Sequence, residues 1–342
     1  MRVDILETEL FSRYFSDVIG KNDLLPVNGV STDSRDIKKG DLFLAIKGEN
    51  FDGSEFVGEA LSGGATYAIV QSGDENHNTF LVDDVILFIG KICSQWMNDF
   101  NGNVIAITGS NGKTTTKDLI SHILSKKGYD VSKTEGNFNT SIGVPLSIFS
   151  FPHNASQVYV LELGANRLGD IEYLSSMVKP DIGVITNISD AHLEGFGSIE
   201  NITKEKKSIL TYSKKGYYNE DITEPFRGLV NHPLGRNKVF LENASIACKV
   251  CEDFMLEEDL VKFDELLQDF TLPKGRGEVC LLSNNITLID DAYNANPESV
   301  KAAIDNLQNY QTEGKKIFVF GDMKELGKDE VKFHEEIADY CE

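Results

Sequence analysis

Residues 104–117 read VIAITGSNGKTTTK. The apolar run Val104, Ile105, Ala106, Ile107, rich in β-branched side chains, predicts a buried strand. A turn of Gly109, Ser110, Asn111 and Gly112 follows, then Lys113 and three threonines, then KDLISHILSKKG, whose spacing predicts a helix over Thr115–Lys127. Strand, glycine turn, lysine and hydroxyls, helix is the order in which a chain cradles phosphates. Backbone N–H groups converge at the helix N-terminus, whose partial positive charge favours anions. Lys113 adds a point charge for the β- and γ-phosphates, and Thr114 a hydroxyl for Mg²⁺. The usual G-x-x-x-x-G-K-[ST] spacing would place a glycine at Ile107, so this is the shorter T-G-x-x-G-K-T-T form.

Outward from this loop the chain alternates strands and helices. Val158–Gly164 and Ile182–Ile188 read as further buried strands with helical segments around them. Such alternation predicts an α/β protein with a mainly parallel sheet, which binds ligands at the carboxyl ends of its strands. Upstream lies a small α/β unit, with strands at Asp41–Ile46 and Thr66–Val70 and helices at Glu55–Gly64 and Ile86–Phe100. Asn101-Gly102 marks its boundary. Residues 211–240 are irregular, and helical patterns return at Asn243–Phe254 and Glu257–Phe270. After the linker-like Leu272–Gly277 come a strand (Ile286–Asp290), a helix (Pro297–Tyr310), a strand (Lys316–Gly321) and a helix (Glu330–Tyr340), which read as the opening of another β–α–β unit. The division expected is 1–101, 102–272 and 273–342.

Composition removes several function classes. The chain has 342 residues, 33 Lys plus Arg against 54 Asp plus Glu, and a net charge of −21. A chain so acidic repels polyanions, so no nucleic-acid partner is expected, and a nucleotide must be held by local devices. No apolar run approaches the ~20 residues of a membrane span, and the acidic N-terminus MRVDILETELF is no secretory signal. Five scattered cysteines point to a reducing cytoplasm. Cys248 and Cys251 form a C-x-x-C without a second pair or nearby histidine, and i, i+3 spacing puts both on one helix face.

Other strand ends carry polar residues suited to the same site. Glu162, in VLELGAN, is a carboxylate in an apolar strand and needs a partner; Mg²⁺ or a structural ion pair would supply one. TNISDAHLEGFGS brings Asn187 and His192. ENITKEKKSIL brings Lys204, Lys206 and Lys207, either a solvated helix face or a lysine aimed at phosphates.

These motifs together resemble the Mur ligase family. The likeness runs through GVSTDSRDIKKGDLFLAIKGENFDG, TGSNGKTTTK, EGNFNTSIGVP, ELGAN, TNISDAHLEGFGS, LPKGRG, DDAYNANP and GDMKELG, in the family's order and over most of the chain. It implies an N-terminal UDP-sugar-binding domain, a central P-loop domain and a Rossmann-like third domain. It also implies an ATP-dependent amide ligase of peptidoglycan precursor synthesis that works through an acyl phosphate. Within the family, YNANP and GDMKELG point to UDP-N-acetylmuramoyl-tripeptide as acceptor and D-Ala-D-Ala as incoming amine.

By resemblance, Gly109, Ser110, Asn111, Gly112, Lys113, Thr114, Thr115, Arg276, Tyr293 and Asn294 would hold ATP. Thr114, Glu162, His192 and Lys206 would hold Mg²⁺, with Lys206 carbamylated, and Lys113, His192 and Lys206 would be catalytic. Ser31, Asp33, Ser34 and Arg35 would lie near the uridine nucleotide, and Asn137, Asn139 and Thr140 near the muramyl-peptide. A cytoplasmic monomer is expected.

The chain departs from the family pattern in places. The central part looks short of strands after the lysine segment, residues 273–342 fall below the ~100–150 residues of a typical domain, and Ser208 stands where a glutamate is common. The alternatives are therefore another Mur-type ligase (third-residue-adding or folylpolyglutamate-like) and a non-catalytic remnant that binds nucleotide or UDP-sugar.

Overall fold

The structure is a computed structural model and describes residues 1–48, 51–189, 193–222, 234, 237–255 and 263–341. In chain order the elements begin with β1 (Arg2–Asp4), α1 (Thr8–Ile19), β2 (Gly29–Ser31), β3 (Asp41–Leu44), α2 (Val57–Ser62), β4 (Tyr67–Val70), β5 (Thr79–Leu81), α3 (Val85–Asp99) and β6 (Asn103–Thr108). There follow α4 (Lys113–Lys126), β7 (Val131–Lys133), α5 (Gly143–Phe149), β8 (Val158–Glu162), α6 (Asp170–Val178), β9 (Ile182–Ile185), α7 (Leu193–Phe196), α8 (Ile199–Tyr212) and β10 (Lys215–Tyr218). The last are α9 (Lys238–Cys251), α10 (Phe263–Leu266), β11 (Glu278–Leu281), β12 (Thr287–Asp290), α11 (Pro297–Asn309) and α12 (Glu330–Cys341). They form two compact units, one of 1–104, 130–163 and 173–180, the other of 105–129, 164–172 and 181–342.

In the first unit β1 to β5 form one sheet in sequence order, β1 antiparallel to β2 and the rest parallel. Helix α1 buries Phe11, Tyr14 and Phe15, and Phe15 meets Phe80 and Phe88 edge-on at 5.9 and 6.1 Å. Helix α3 starts where Asp84 accepts from Leu87 N–H at 2.8 Å. Its Trp96 meets Phe149 of α5 edge-on at 5.4 Å. Asp41 is fully buried, and Arg2 grips it through Nε at 2.7 Å and Nη2 at 2.9 Å. Strand β8 is buried along its length and pairs in parallel with β7. The expected strands and helices of this region form as β3, β4, α2 and α3. Strands β1, β2, β5 and β7 were not expected; each has three residues, too few to show a period.

In the second unit β9 lies between β6 and β10, all parallel, with Val184 opposite both Ile107 and Tyr217. Strand β10 corrects the expectation of an irregular stretch after the lysines: Lys215–Tyr218 is half exposed, so its sequence lacks the apolar run of a central strand. Helix α9 packs on α4, and its Cys248 and Cys251 are both buried on one face. Of the helix expected over 257–270, residues 257–262 lie outside the described residues and Phe263–Leu266 is helical.

The last segment differs from expectation. The strand at Ile286–Asp290 forms as β12 but pairs antiparallel with β11, so this part begins with a hairpin. Lys316–Gly321 is no strand. Phe318 and Phe320 pack on Val300, Ile304, Met323, Leu326 and Ile337, while Ile317 and Val319 are exposed. The alternation suits a strand, but no described strand offers it a ladder.

Candidate active site

The loop after β6 is shaped by two glycines. Gly109 has φ +151°, and a Cβ there would stand 1.9 Å from Thr186 Oγ1. Gly112 caps α4 with φ +79°, and a Cβ there would stand 2.3 Å from Asn243 Oδ1. Both positions therefore exclude side chains on steric and conformational grounds. Helix α4 begins at Lys113, so the loop's N–H groups gather at a helix N-terminus, with Thr114 and Thr115 buried in its first turn. Lys113 curls back over the loop and donates from Nζ to Gly109 O at 2.7 Å and Ser110 O at 3.1 Å.

The end of β9 laces this loop in place. Ser110 N–H donates to Asn187 O at 3.0 Å, and Asn111 N–H to Asn187 Oδ1 at 2.7 Å. Thr186 Oγ1 donates to Asn111 O at 2.5 Å. Ser110 Oγ donates to Ser189 O at 3.0 Å and accepts from Ser189 N–H at 2.9 Å.

The start of α11 reaches the same loop. Asn296 caps that helix in a reciprocal box with Ser299, ahead of Pro297 at its first turn. Asn296 Nδ2 donates to Asn111 Oδ1 at 2.7 Å. Glu298 Oε2 accepts from Asn111 Nδ2 at 2.9 Å and Asn187 Nδ2 at 3.3 Å.

Helix α8 decides between the three lysines. Ile202, Glu205, Lys206 and Ile209 form its buried stripe at helical spacing, whereas Lys204 and Lys207 are exposed. Burial pushes the Lys206 ammonium down to about 7; the positive charge of Lys113 pushes the same way, and Glu205 opposes it. Glu205 is 3% exposed and accepts from Gly169 N–H at 2.7 Å and Ile171 N–H at 2.6 Å, at the start of α6. That carboxylate fixes the turn from which Lys206 projects.

Other expected site residues are placed as follows. The Arg276 guanidinium lies 4.0 Å above the Tyr293 ring, a flat cationic platform, and Asn294 Oδ1 accepts from Ala295 N–H at 3.0 Å. In the first unit, buried Glu162 accepts from Asn139 Nδ2 at 2.9 Å, and Thr140 Oγ1 accepts from Gly143 N–H at 3.2 Å. Asn137 lies in the turn before Asn139. Also there, Ser31 is buried and Asp33 takes a two-point grip from Arg35 at 2.8 and 2.6 Å, which holds its carboxyl well below the usual range. Ser34 Oγ donates to Glu59 at 2.9 Å. His192 lies outside the described residues.

The structure thus brings together the loop and Asn187, and buries Lys206 on α8. Sequence reading missed Thr186, Ser189, Asn243, Asn296, Glu298 and Glu205 as parts of this constellation. Asn296 carried a signal, since an Asn before Pro at a helix start is a cap. Glu205 carried one in the I-x-x-E-K-x-x-I spacing.

The family models for the Mur ligase catalytic domain, the Mur ligase middle domain and the Mur ligase glutamate ligase domain match residues 26–108, 107–226 and 275–342. The chain is 34% identical over 355 residues to the UDP-N-acetylmuramoyl-tripeptide–D-alanyl-D-alanine ligase of Bacillus subtilis, covering 91% of this chain and 76% of that one. Among solved structures it is similar to MurF of Acinetobacter baumannii, with TM-score 0.83, 29% identity, and 96% of this chain and 82% of that one covered. It is also similar to MurF ligase of Thermotoga maritima in complex with ADP, with TM-score 0.78, 29% identity, and 91% and 81% covered.

Proposed function

The chain belongs to the Mur ligase family, and on that footing we propose that it joins D-alanyl-D-alanine to UDP-N-acetylmuramoyl-tripeptide, driven by ATP cleavage. A carboxylate oxygen of the tripeptide attacks the γ-phosphorus, ADP leaves, and an acyl phosphate forms. The dipeptide amine then attacks the acyl carbon and loses a proton, and phosphate departs from the tetrahedral intermediate. Most of such catalysis is positioning and charge neutralisation.

The observation that carries this reading is the glycine loop gathered at the start of α4 with Lys113 folded over it, accompanied by Lys206, 2% exposed on α8. A lysine at the edge of neutrality near pH 7 presents an unprotonated amine, which is what addition to CO₂ requires; the N–C bond forms, one proton leaves, and a cation becomes an anionic oxygen ligand. So modified, Lys206 and the Thr114 hydroxyl would offer oxygen donors of the kind Mg²⁺ takes. When bound, that ion would neutralise charge on the transferring phosphoryl group. The resemblance assigns Glu162 and His192 to the same ion.

The loop N–H groups and Lys113 would hold the phosphates, Lys113 exchanging its carbonyl partners for phosphate oxygens. Arg276, Tyr293 and Asn294 would meet the rest of ATP. Ser31, Asp33, Ser34 and Arg35 would take the uridine end of the acceptor, and Asn137, Asn139 and Thr140 its muramyl-peptide. The three functional parts are then 1–101, 102–272 and 273–342, acting as a cytoplasmic monomer; among the described residues no helix is long and apolar enough to cross a membrane.

The test is ADP release with ATP, UDP-N-acetylmuramoyl-tripeptide and D-Ala-D-Ala. Release dependent on both peptide substrates is expected. No turnover with ATP binding intact would overturn the reading, and turnover with a single amino acid in place of the dipeptide would reassign the amine.

A further inference from the structure

Beside the phosphate loop the second unit holds a cleft of about 470 Å³, within the ~300–1,000 Å³ of small-molecule sites. One end adjoins the loop directly. Ser189 and Glu298 line the cleft, and both bond to loop residues, Ser189 to Ser110 and Glu298 to Asn111. The walls are apolar, from Ile188, Ile199, Pro297 and Phe333. Phe333 is braced from behind by the core cluster around Ile304 and Met323.

Three charged side chains line the cleft, Glu298, Lys301 and Glu336. Glu298 stands at the loop end. Lys301 stands one helical turn further along α11, so the two project from one face. Lys301 Nζ is 4.0 Å from Glu336 Oε2 and 5.7 Å from the centre of the Tyr340 ring. Glu336 also faces Lys332 Nζ at 3.8 Å, so its negative charge is divided between two lysines. With its side chain 38% exposed, Lys301 retains attraction for a further anion.

Glu298 near one end, Lys301 near the other with Glu336 shared between it and Lys332, and an apolar wall between them suit a small zwitterion with short apolar side chains. A free dinucleotide or a sugar would leave those walls unmatched. We infer that this cleft seats the amine substrate, its ammonium end toward Glu298 and its carboxylate toward Lys301. The inference rests on the ligase reading above for the identity of that substrate, D-alanyl-D-alanine. The orientation follows from the loop: the end held by Glu298 is the end beside the phosphate-binding turn, where an amine must arrive to meet an acyl phosphate. Glu298 and Lys301 are then specificity-determining residues, one reading the amine and one the free carboxylate.

The experiment compares D-Ala-D-Ala with its C-terminal amide in the full chain. The wild type should favour the free acid by roughly tenfold in kcat/KM, about 1.4 kcal/mol. Lys301→Ala should raise the dipeptide KM by about tenfold, leave the ATP KM within about twofold, and abolish the preference for acid over amide. Glu298→Gln, which keeps an oxygen for Asn111, should raise the dipeptide KM and leave that preference intact. A Lys301→Ala enzyme with wild-type KM and wild-type preference would overturn the inference.

Should the wild type show no turnover, the ligase reading falls, and the cleft is judged by titrating D-Ala-D-Ala while following Phe333 and Ile199 resonances. Shifts that Lys301→Glu abolishes support the site. No shifts, or equal shifts in Lys301→Glu, overturn it.

Discussion

Asn111 in the phosphate loop donates its side-chain amide to Glu298 in the first turn of α11 at 2.9 Å, although 187 positions separate them. Asn296, which caps that helix, donates back to Asn111 Oδ1 at 2.7 Å. One short side chain therefore ties the start of the last described segment to the turn expected to hold ATP phosphates.

Asn111→Ala should remove these bonds and leave the loop's backbone bond to Asn187 in place. Each lost hydrogen bond is worth about 1 kcal/mol, so the expected result is a five- to tenfold weaker ATP Kd, roughly 1–1.4 kcal/mol, and a lower Tm. Calorimetric titration with ATP checks it; wild-type affinity would mean that α11 does not steady the loop.

Glu205→Ala should destabilise the chain. The carboxylate is 3% exposed and accepts from the N–H groups of Gly169 and Ile171. Removing it strands the buried Ile171 donor at a helix start and leaves the exposed Gly169 N–H to water, at a cost of about 1–3 kcal/mol. Glu205→Gln keeps an acceptor and should lose less. Urea unfolding gives the order; equal losses in the two variants would show that hydrogen bonding at this position is not what matters.

Lys206 in its unmodified form, in protein freed of CO₂, makes stability depend on pH in a stated direction. In the folded chain it titrates at about 7 against an ordinary value of 10.5. Between these values the unfolded chain holds the extra proton, so this group's contribution to stability rises as pH increases from about 7 toward 10.5, and its penalty is full below about 7. Lys206→Met should remove that slope and stabilise the chain below pH 7 by a few kcal/mol, since each tenfold loss of proton affinity on folding corresponds to about 1.4 kcal/mol. Ligase activity should be lost with it. The difference between wild-type and variant unfolding free energies, measured from pH 6 to 10, shows the slope if Lys206 is its source.

Arg2→Met should cost about 3–5 kcal/mol in unfolding the first unit, because Asp41 would remain buried without its cation. Arg2 holds both oxygens of this fully buried carboxylate, and Lys38 N–H gives it a bond at 2.8 Å. A double variant, Arg2→Met with Asp41→Asn, should recover part of the loss. Chemical denaturation of wild type and the two variants decides it; a single variant as stable as wild type would contradict the prediction.

The glycine loop was legible in the sequence because its determinants are local. Gly109 and Gly112 mark a turn whose φ values and close contacts admit no Cβ, and a turn between a β-branched run and a helical run has few other uses. The Cys248–Cys251 pair was readable as a helix face for the same reason. The expected strand at Lys316–Gly321 failed because alternation specifies which side chains face a core but cannot supply the neighbouring backbone that a ladder needs. Strand β10 escaped notice because an edge position relaxes the demand for apolar residues.

The sequence by itself determined the glycine turn between strand and helix, the α/β alternation and the family, since each rests on spacing between near neighbours along the chain. Only the tertiary structure decided which of Lys204, Lys206 and Lys207 is withdrawn from water, since that depends on what packs against α8. It also decided that Glu298 and Asn296 meet Asn111. Desolvation and long-range hydrogen bonds come from elements far apart in the chain, and no local pattern encodes which of them will touch.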